Sequence, residues 1–563
     1  MLKHLSHTLV AMLNLAHRAF VVWIVLWPLH GPRSIAAEAL ILSHPSGFYD
    51  APFSVRIADA PSGGIAYYTL NGENPVPERA AAYSAAIPIR TTTILRVASY
   101  KNGAEVSPPV IRTYLFPKDV LRQNGESFPA TWGTNNGQAV VADYAMDSEV
   151  TEHPDYRKEM LPALRSLPSL SLVLDPSDLF DPSRGIYANP KETGADWERP
   201  ASLELVSADG HLEFQVNCGV RIQGGWNRRP EESPKHSFRV VFKKRYGPGK
   251  LRHPLFGENG IRDFDEIVLR SGCNNTWLHW KGEERRRGEF VRDQWMRDSF
   301  SAMGHPSARG LFVHLYLNGL YWGLYNPVER PSAPFVAGHF GGKPEHYDVR
   351  NADNVVEGDD VEWLKLMTLA NAGVSEAADY QKLEPLLDIE QFADFLILNF
   401  YGANADWDRA SNWYAARSRK PAGPYRFYVW DGERTLESID ANSMAFDDDQ
   451  SPTRLFHMLK ENADFRRLFA RRARRHLTGD GALTPSNAAQ RYRHWASQIE
   501  QAVLAESARW GDYRRDVHRY KTGPYELYTR NDHWRPEVKR LLEEYFPQRT
   551  RELIKQFEKA GLY

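Results

Sequence analysis

"NADWDRASNWYAARSRKPAGPYRFYVWDGERT" (Asn404–Thr435) sets Asp406, Asp408, Asn412 and Asp431 among aromatic and basic residues. The run before it, "IEQFADFLILNFYG", repeats its apolar residues with helical period. Two runs inside it, "SNWYAAR" and "YRFYVWD", are aromatic and strand-like, with turn residues between them. The stretch therefore predicts a helix, an acidic loop and a hairpin, with an acid, an amide and a second acid at the hairpin ends. Phosphoryl transfer asks for little covalent chemistry. It needs a divalent cation held between carboxylate and amide oxygens, and a base on the acceptor hydroxyl. A polar cluster that merely ends two strands is the plainer reading, and the choice between them rests on the chain upstream.

Upstream lies "CGVRIQGGWNRRPEESPKHSFRVVF" (Cys218–Phe242). A strand enters a turn at Gly224 and Gly225, and the chain returns as a second strand with Lys235 at its start. Glycines let backbone N–H groups approach an anion closely, and a lysine on the return strand supplies a point charge for phosphate. Taken alone, a two-glycine turn is ordinarily just a hairpin. Further on, "GLFVHLYLNGLYWGLYNPVERPSAPF" holds an Asn318-Gly319 turn between alternating apolar residues, a strong hairpin signal. It leads to Glu329, where the chain turns helical and a connector is expected.

Outward from these segments, the chain of 563 residues is too long for one core and predicts two or three domains. A formal net charge of -1 and 25% charged residues argue against a wholesale nucleic-acid or membrane-surface partner. Residues 1–39 carry Lys3, Arg18, the apolar run "AFVVWIVLW" and a closing "AAEA", the pattern of a signal peptide, so export to the periplasm, cell surface or medium is expected. Cys218 and Cys273 could form one disulfide, and a disulfide-rich scaffold is excluded. Zinc spacing, "HExxH" and "GxSxG" do not occur.

From Leu40 to Pro117, "FSVRI", "IAYYTL", "TTTILRVASY" and "VIRTYLF" alternate with turn clusters, which predicts a small sandwich. On "SGFYDAPFSVRI", "IAYYTLNGENPVP" and "IPIRTTTILRVASYKNGAEVSP" this region resembles the chitobiase/β-hexosaminidase C-terminal type of module. Such modules serve extracellular enzymes, and Tyr67 and Tyr68 are candidates for polysaccharide contact against a core-packing alternative. Residues 118–165 read as a linker with one short helix. The chain is then strand-rich to about Glu329 and helical from 330 to 563.

Over residues 166–563 the chain resembles the CotH kinase family, the spore-coat-protein-H-like atypical protein kinases. The resemblance is carried by "LPSLSLVLDPSDLFDPSRGIYANP", "GADWERPASLEL", the glycine hairpin through "KLRHPLF", "LRSGCNN", "LYLNGLYWGLYNPVE", "NADWDRASNWY", "WDGERT" and "YFPQRTRELIKQFEKAGLY". It implies an α+β, bilobal kinase-like domain with a β-rich N-lobe (166–329) and a helical C-lobe (330–563), preceded by a small all-β, Ig-like sandwich. It further implies ATP with Mg²⁺ or Mn²⁺ and a protein substrate. Gly224 and Gly225 would cover the phosphates, Lys235 would contact them, and Glu329 would lie at the hinge near the adenine. Asp406 would be the base with Asp408 as second choice. Asp431 and Asn412 would hold the metal, and Glu433 could add an oxygen.

Glu289, Asp293 and Asp298 are the candidate partners of Lys235. Neither aspartate has the spacing of the ordinary kinase loop, since Asn412 lies six residues after Asp406 and four after Asp408. Two other functions stay open: a non-catalytic adhesion or structural platform, and a carbohydrate-active enzyme using paired aspartates. The arginines of "FRRLFARRARRHL" read as a solvated face or an acidic-substrate dock. "FDDDQ" receives no role, and Trp277, Trp280 and Trp407 read as core or cleft wall.

Overall fold

Seven strands of the β-rich half close on themselves. They are β1 (Ser169–Val173), β2 (Arg199–Val206), β3 (Leu212–Gln223), β4 (Ser237–Val241), β5 (Glu266–Arg270), β6 (Val313–Leu317) and β7 (Leu320–Val328). The barrel runs β1-β2-β3-β4-β5-β7-β6, and β1 meets β6 in parallel to complete it. Alternating apolar residues turn Leu172, Leu203, Val220, Phe238, Leu269 and Leu315 into a filled interior rather than a pore. The Asn318-Gly319 turn joins β6 to β7 with both residues at positive φ, as a two-residue hairpin requires.

The computed structural model describes residues 40–58, 63–107, 109–258, 260–408, 412–518 and 523–563. The predicted signal peptide lies outside them. Among the described residues no helix is long and apolar enough to cross a membrane. The order is mixed α/β: strands dominate the N-terminal part, and helices dominate the C-terminal part.

Past the barrel, β8 (Tyr347–Asn351), β9 (Asn354–Glu357), β10 (Trp413–Ser418) and β11 (Arg426–Val429) form an antiparallel sheet ordered β9-β8-β10-β11. The predicted "SNWYAAR"/"YRFYVWD" hairpin is β10–β11. The helices that bear on the acidic stretch and on the barrel are α1 (Arg292–Ala302), α2 (Ile389–Gly402), α3 (Ala463–Leu477) and α4 (Ala502–Trp510). The apolar residues of α1, α2 and α3 share one core that includes Trp295, Phe395, Leu398 and Phe469.

Residues 44–115 form the expected small module. One sheet runs through Ile65–Thr69, Thr93–Lys101 and Val110–Leu115, and Phe53–Val55 pairs with Ile87–Ile89. Residues 118–165 correct the linker reading. They hold a hairpin (Thr131–Asn135 with Gln138–Val141) and short helices, and Met146, Val150 and Met160 pack with Tyr316, Tyr321 and Leu504. Burial of that apolar surface makes the segment part of the folded body instead of a spacer. Cys218 and Cys273, whose pairing the sequence left open, are both buried free thiols.

Candidate active site

Helix α2 ends because Ala403 adopts a left-handed conformation (φ 47°), which turns the chain out of the helix. The loop beyond it is pinned by Ala405 N–H donating to the Arg434 carbonyl (2.9 Å) and by the Asn412 amide donating to the Asp406 carbonyl (2.8 Å). Asp406 Oδ1 is buried and accepts no hydrogen bond from the described residues. Burial first, and then the Asp431 charge, pushes the Asp406 carboxyl up to about 7. Asp406 lines a cavity of about 290 Å³ with Ala405, Asp408, Phe446, Asp447 and Asp448. The "FDDDQ" segment, given no role from sequence, thus borders the site.

At the far end of the hairpin, Asp431 sits at φ +62°, an unusual region for a residue with a side chain. Gly432 comes next because a Cβ there would lie 2.9 Å from the Met296 side chain, and its N–H donates to Asp293 Oδ1 (2.9 Å). Helix α1 therefore presses directly on the "WDGE" turn.

One cation organises these acids. Arg270, the last residue of β5, donates from Nη2 to Asp431 Oδ1 (2.5 Å) and Glu433 Oε1 (2.7 Å), and its Nε lies 3.0 Å from Asp293 Oδ2. Its guanidinium also stands 5.0 Å over the Trp430 ring. Glu433 Oε2 accepts from Asn274 N–H (2.8 Å). With both oxygens engaged, Glu433 braces the Arg270 guanidinium against the Asn274 backbone. Burial pushes its carboxyl up to about 7, with Arg270 opposing and Asp431 adding to the rise. Burial works the same way on Asp293, but Arg270 and Arg297 hold it below the usual carboxylate range.

Lys235 stands elsewhere. Its side chain is wholly buried, and Nζ donates to Glu506 Oε1 (2.5 Å) and the Leu324 carbonyl (2.8 Å). Glu506 comes from α4, which crosses β7 where Gly323 stands. A Cβ at Gly323 would fall 2.4 Å from Glu506 Oε2. None of the three carboxylates predicted to pair with Lys235 does so: Asp293 serves Arg270, Glu289 meets Arg292 (3.1 Å), and Asp298 accepts from Gln294 (2.9 Å). Burial lowers the Lys235 pKa, with Glu506 opposing. The lysine expected to face phosphate is a core ion pair, and the cation beside the acids is Arg270. The signal for Arg270 was "VLRSGCNN", a charge ending an apolar strand.

The remaining candidates divide. Asp408 accepts from Thr453 N–H (3.3 Å) and from the Thr453 hydroxyl at the start of helix Pro452–Leu459, so it tethers that helix and is corrected as a base. Glu329 stands just past β7 and accepts from Arg309 N–H (2.8 Å), with Oε1 buried and unanswered. Burial pushes it up to about 7. The slot it lines measures about 20 Å³, room for a water and not for a purine. Gly224 has φ +117°, and a Cβ there would collide with Asn227, whereas Gly225 is exposed with nothing within 4 Å of its Cβ position. Trp277 and Trp407 are core, each 1% exposed.

Mg²⁺ characteristically takes one or two carboxylates, with water and phosphate completing its shell, rather than an all-protein cage. Among the described residues no group of three metal-ligating side chains converges. The unanswered Asp406 oxygen, the charge of Asp431 beside it and the Asn412 amide suit that sparser coordination.

Comparison with curated proteins finds no match. Among protein families, the chitobiase/beta-hexosaminidase C-terminal domain matches residues 44–111. The CotH kinase protein family matches residues 220–553, more than half of the chain and all of the acidic site. The chain belongs to the CotH kinase protein family.

Proposed function

We propose that this chain is an exported atypical protein kinase that moves the γ-phosphate of ATP, with Mg²⁺ or Mn²⁺, onto a hydroxyl of a protein at or beyond the cell surface. The observation that carries this reading is a chain of neighbours from three separate elements: Arg270 holds Asp431, and the Asp431 charge reaches Asp406, whose Oδ1 is buried and unanswered. Element order supports it. In protein kinases a strand lysine pairs with a helix glutamate, and the metal-binding acids come later. Here β5 supplies Arg270, α1 supplies its partner Asp293, and the acidic loop and hairpin come last.

In this reading Asp406 accepts the proton of the acceptor hydroxyl, and a carboxyl near 7 suits that task. Asp431 and Asn412 would hold the metal ion, which when bound neutralises phosphate charge. Arg270 carries a fork of donors suited to phosphate oxygens, and Asp293 sets its orientation. Glu433 holds the same fork from the other side.

The test is ATP with Mg²⁺ or Mn²⁺ added to the purified chain. A rise in Tm and transfer of labelled phosphate to the chain or to a generic protein are expected, both lost in Asp431→Asn. If neither metal with ATP moves Tm, the reading fails and a non-catalytic platform takes its place. Release of reducing sugar that Asp406→Asn abolishes would instead make the chain a glycosidase.

A further inference from the structure

Helix α3 carries arginines of two kinds. Arg472 points into the protein: it is buried, donates from Nε to Asp394 Oδ1 (2.8 Å) and from Nη1 to Glu390 Oε1 (2.6 Å), and so ties α3 to α2. Phe465 and Phe469 share that inward side and sit in the core. Four others, Arg466, Arg467, Arg471 and Arg474, border a groove of about 530 Å³ on the outer side. Ala463 and Ala470 line it as well, with side chains too short to fill it, and the Tyr563 ring lies 5.0 Å from the Arg474 guanidinium.

The charge in this groove is largely unanswered. Arg467 meets Asp464 one turn back, and Arg466 donates to the Lys460 and Glu461 carbonyls (2.8 and 2.9 Å). Arg471 and Arg474 make no ion pair among the described residues, and the lining holds no carboxylate side chain. Arg467 and Arg471 stand four positions apart, Arg471 and Arg474 three, and like charges at those spacings destabilise a helix. The negative end of the helix dipole favours Arg474 in the last turn, but it does not reach Arg467. Packing does not ask for these arginines either, because Arg472 already makes the buried contacts. An anion bound in the groove relieves the repulsion.

We infer that this groove binds a phosphorylated segment of a protein, with Arg471 and Arg474 forked onto one phosphate and Arg466 and Arg467 on a second. Neighbouring guanidiniums offer more donors and more charge than one carboxylate satisfies, whereas a phosphate brings nearly two charges and three acceptor oxygens. From Arg466 to Arg474 the helix rises about 12 Å, the reach of about four extended residues. A lipid surface suits α3 poorly. A helix lying on a membrane buries its apolar side there, and α3 has already turned Phe465 and Phe469 into the core. The proposed phosphotransfer makes such segments, so the groove would hold its product for a further round; that role rests on the kinase reading, and the binding itself does not.

The experiment follows the fluorescence anisotropy of a short labelled Gly-Ser peptide with two phosphoserines, added to the full chain at physiological salt without ATP. Its unphosphorylated and glutamate-substituted forms, inorganic phosphate, and phosphatidylcholine vesicles containing phosphatidylserine are tested beside it. Saturable binding of the phosphopeptide is expected, with each of the others about tenfold weaker or more. Arg471→Gln and Arg474→Gln should each weaken it by about tenfold, the scale of a hydrogen bond to a charged group. Both side chains are exposed, so Tm should hold. Arg475→Gln, exposed on the same helix but outside the lining, should leave binding unchanged. Absence of saturation overturns the proposal, as does an equal loss in Arg475→Gln, which would make binding a matter of net charge. Equal affinity for the glutamate form would make the groove an acidic dock, equal affinity for inorganic phosphate a small-anion site, and tighter, Arg471-dependent binding of the vesicles a membrane contact; each overturns it. Loss of phosphate transfer with the peptide still bound would remove the kinase reading and leave this site standing.

Discussion

Two buried ion clusters, one where α4 crosses β7 and one where β5 meets α1 and the acidic hairpin, are built on opposite principles. Lys235 and Glu506 form a matched pair: one cation, one anion, with Leu324 supplying a carbonyl to the ammonium and an N–H to Glu506 Oε2 (2.7 Å). Arg270 instead faces Asp293, Asp431 and Glu433, with Asp406 near enough to feel the Asp431 charge. Carboxylates outnumber cations there even with Arg297 included. A matched pair sets the position of a helix on a strand. A surplus of like charge perturbs proton affinities and costs stability, which is the signature of groups kept for chemistry.

The largest expected effect breaks the unmatched cluster without disturbing the fold. Asp431→Asn keeps a residue tolerant of the left-handed backbone and removes one charge from the surplus. Phosphate transfer should fall on the order of a thousandfold while Tm holds or rises. A drop in Tm alongside the loss would make Asp431 a structural residue.

The matched pair should respond the other way round. Glu506→Gln leaves a wholly buried ammonium without its counter-charge and should cost about 3–5 kcal/mol, read by denaturant unfolding. Replacing both partners, Lys235→Met with Glu506→Leu, should recover only part of that loss, because it removes both desolvated charges but leaves the Leu324 carbonyl and N–H unanswered. Should Glu506→Gln leave stability intact and abolish transfer, the roles assigned to the two clusters are reversed.

A smaller effect sharpens the contrast through pH. Burial and the Asp431 charge raise Asp406 to about 7 in the folded chain, whereas an unfolded aspartate titrates near about 3.9. Between those values the folded state holds a proton that the unfolded state has released, so Asp406 costs stability increasingly as pH rises from about 4 to about 7 and by a constant amount above. Asp406→Asn carries no such slope. Its Tm advantage over the parent should therefore grow through that window and level off above about 7, and a flat difference would refute the assigned environment.

The fold was legible where one element decided its own form. The Asn318-Gly319 hairpin, the β10–β11 hairpin, helix α2 and the module strands come from local period and turn chemistry. That the acids of the stretch flank one hairpin, near enough for Asp431 to act on Asp406, was legible too, because hairpin ends are visible in one stretch. What sequence hid was partnership over long separations. Nothing near Lys235 announces Glu506, some 271 residues away, and nothing near Arg270 announces Asp431, 161 residues away. The three candidate carboxylates for Lys235 lie on or beside α1, the helix nearest in sequence, whereas Gly323, whose missing side chain admits α4, is the sign that a different helix crosses the barrel. The barrel closure was hidden for the same reason, since β1 and β6 pair across 144 intervening positions of register (Leu170 with Leu315 is typical) and no local pattern encodes that contact.

The smallest effect concerns the glycine turn between β3 and β4. Gly224 needs its positive φ and has Asn227 where a Cβ would stand, so Gly224→Ala should cost on the order of 1 kcal/mol or more. Gly225 has a negative φ of -115° and open space at its Cβ position, so Gly225→Ala should leave stability within about 0.5 kcal/mol. Packing gives Gly225 no reason to be glycine, whereas a phosphate approached closely by its backbone would. A several-fold rise in the KM for ATP in Gly225→Ala, at unchanged Tm, is therefore the expected outcome. An unchanged KM would assign the turn to the scaffold side of the comparison, along with Lys235.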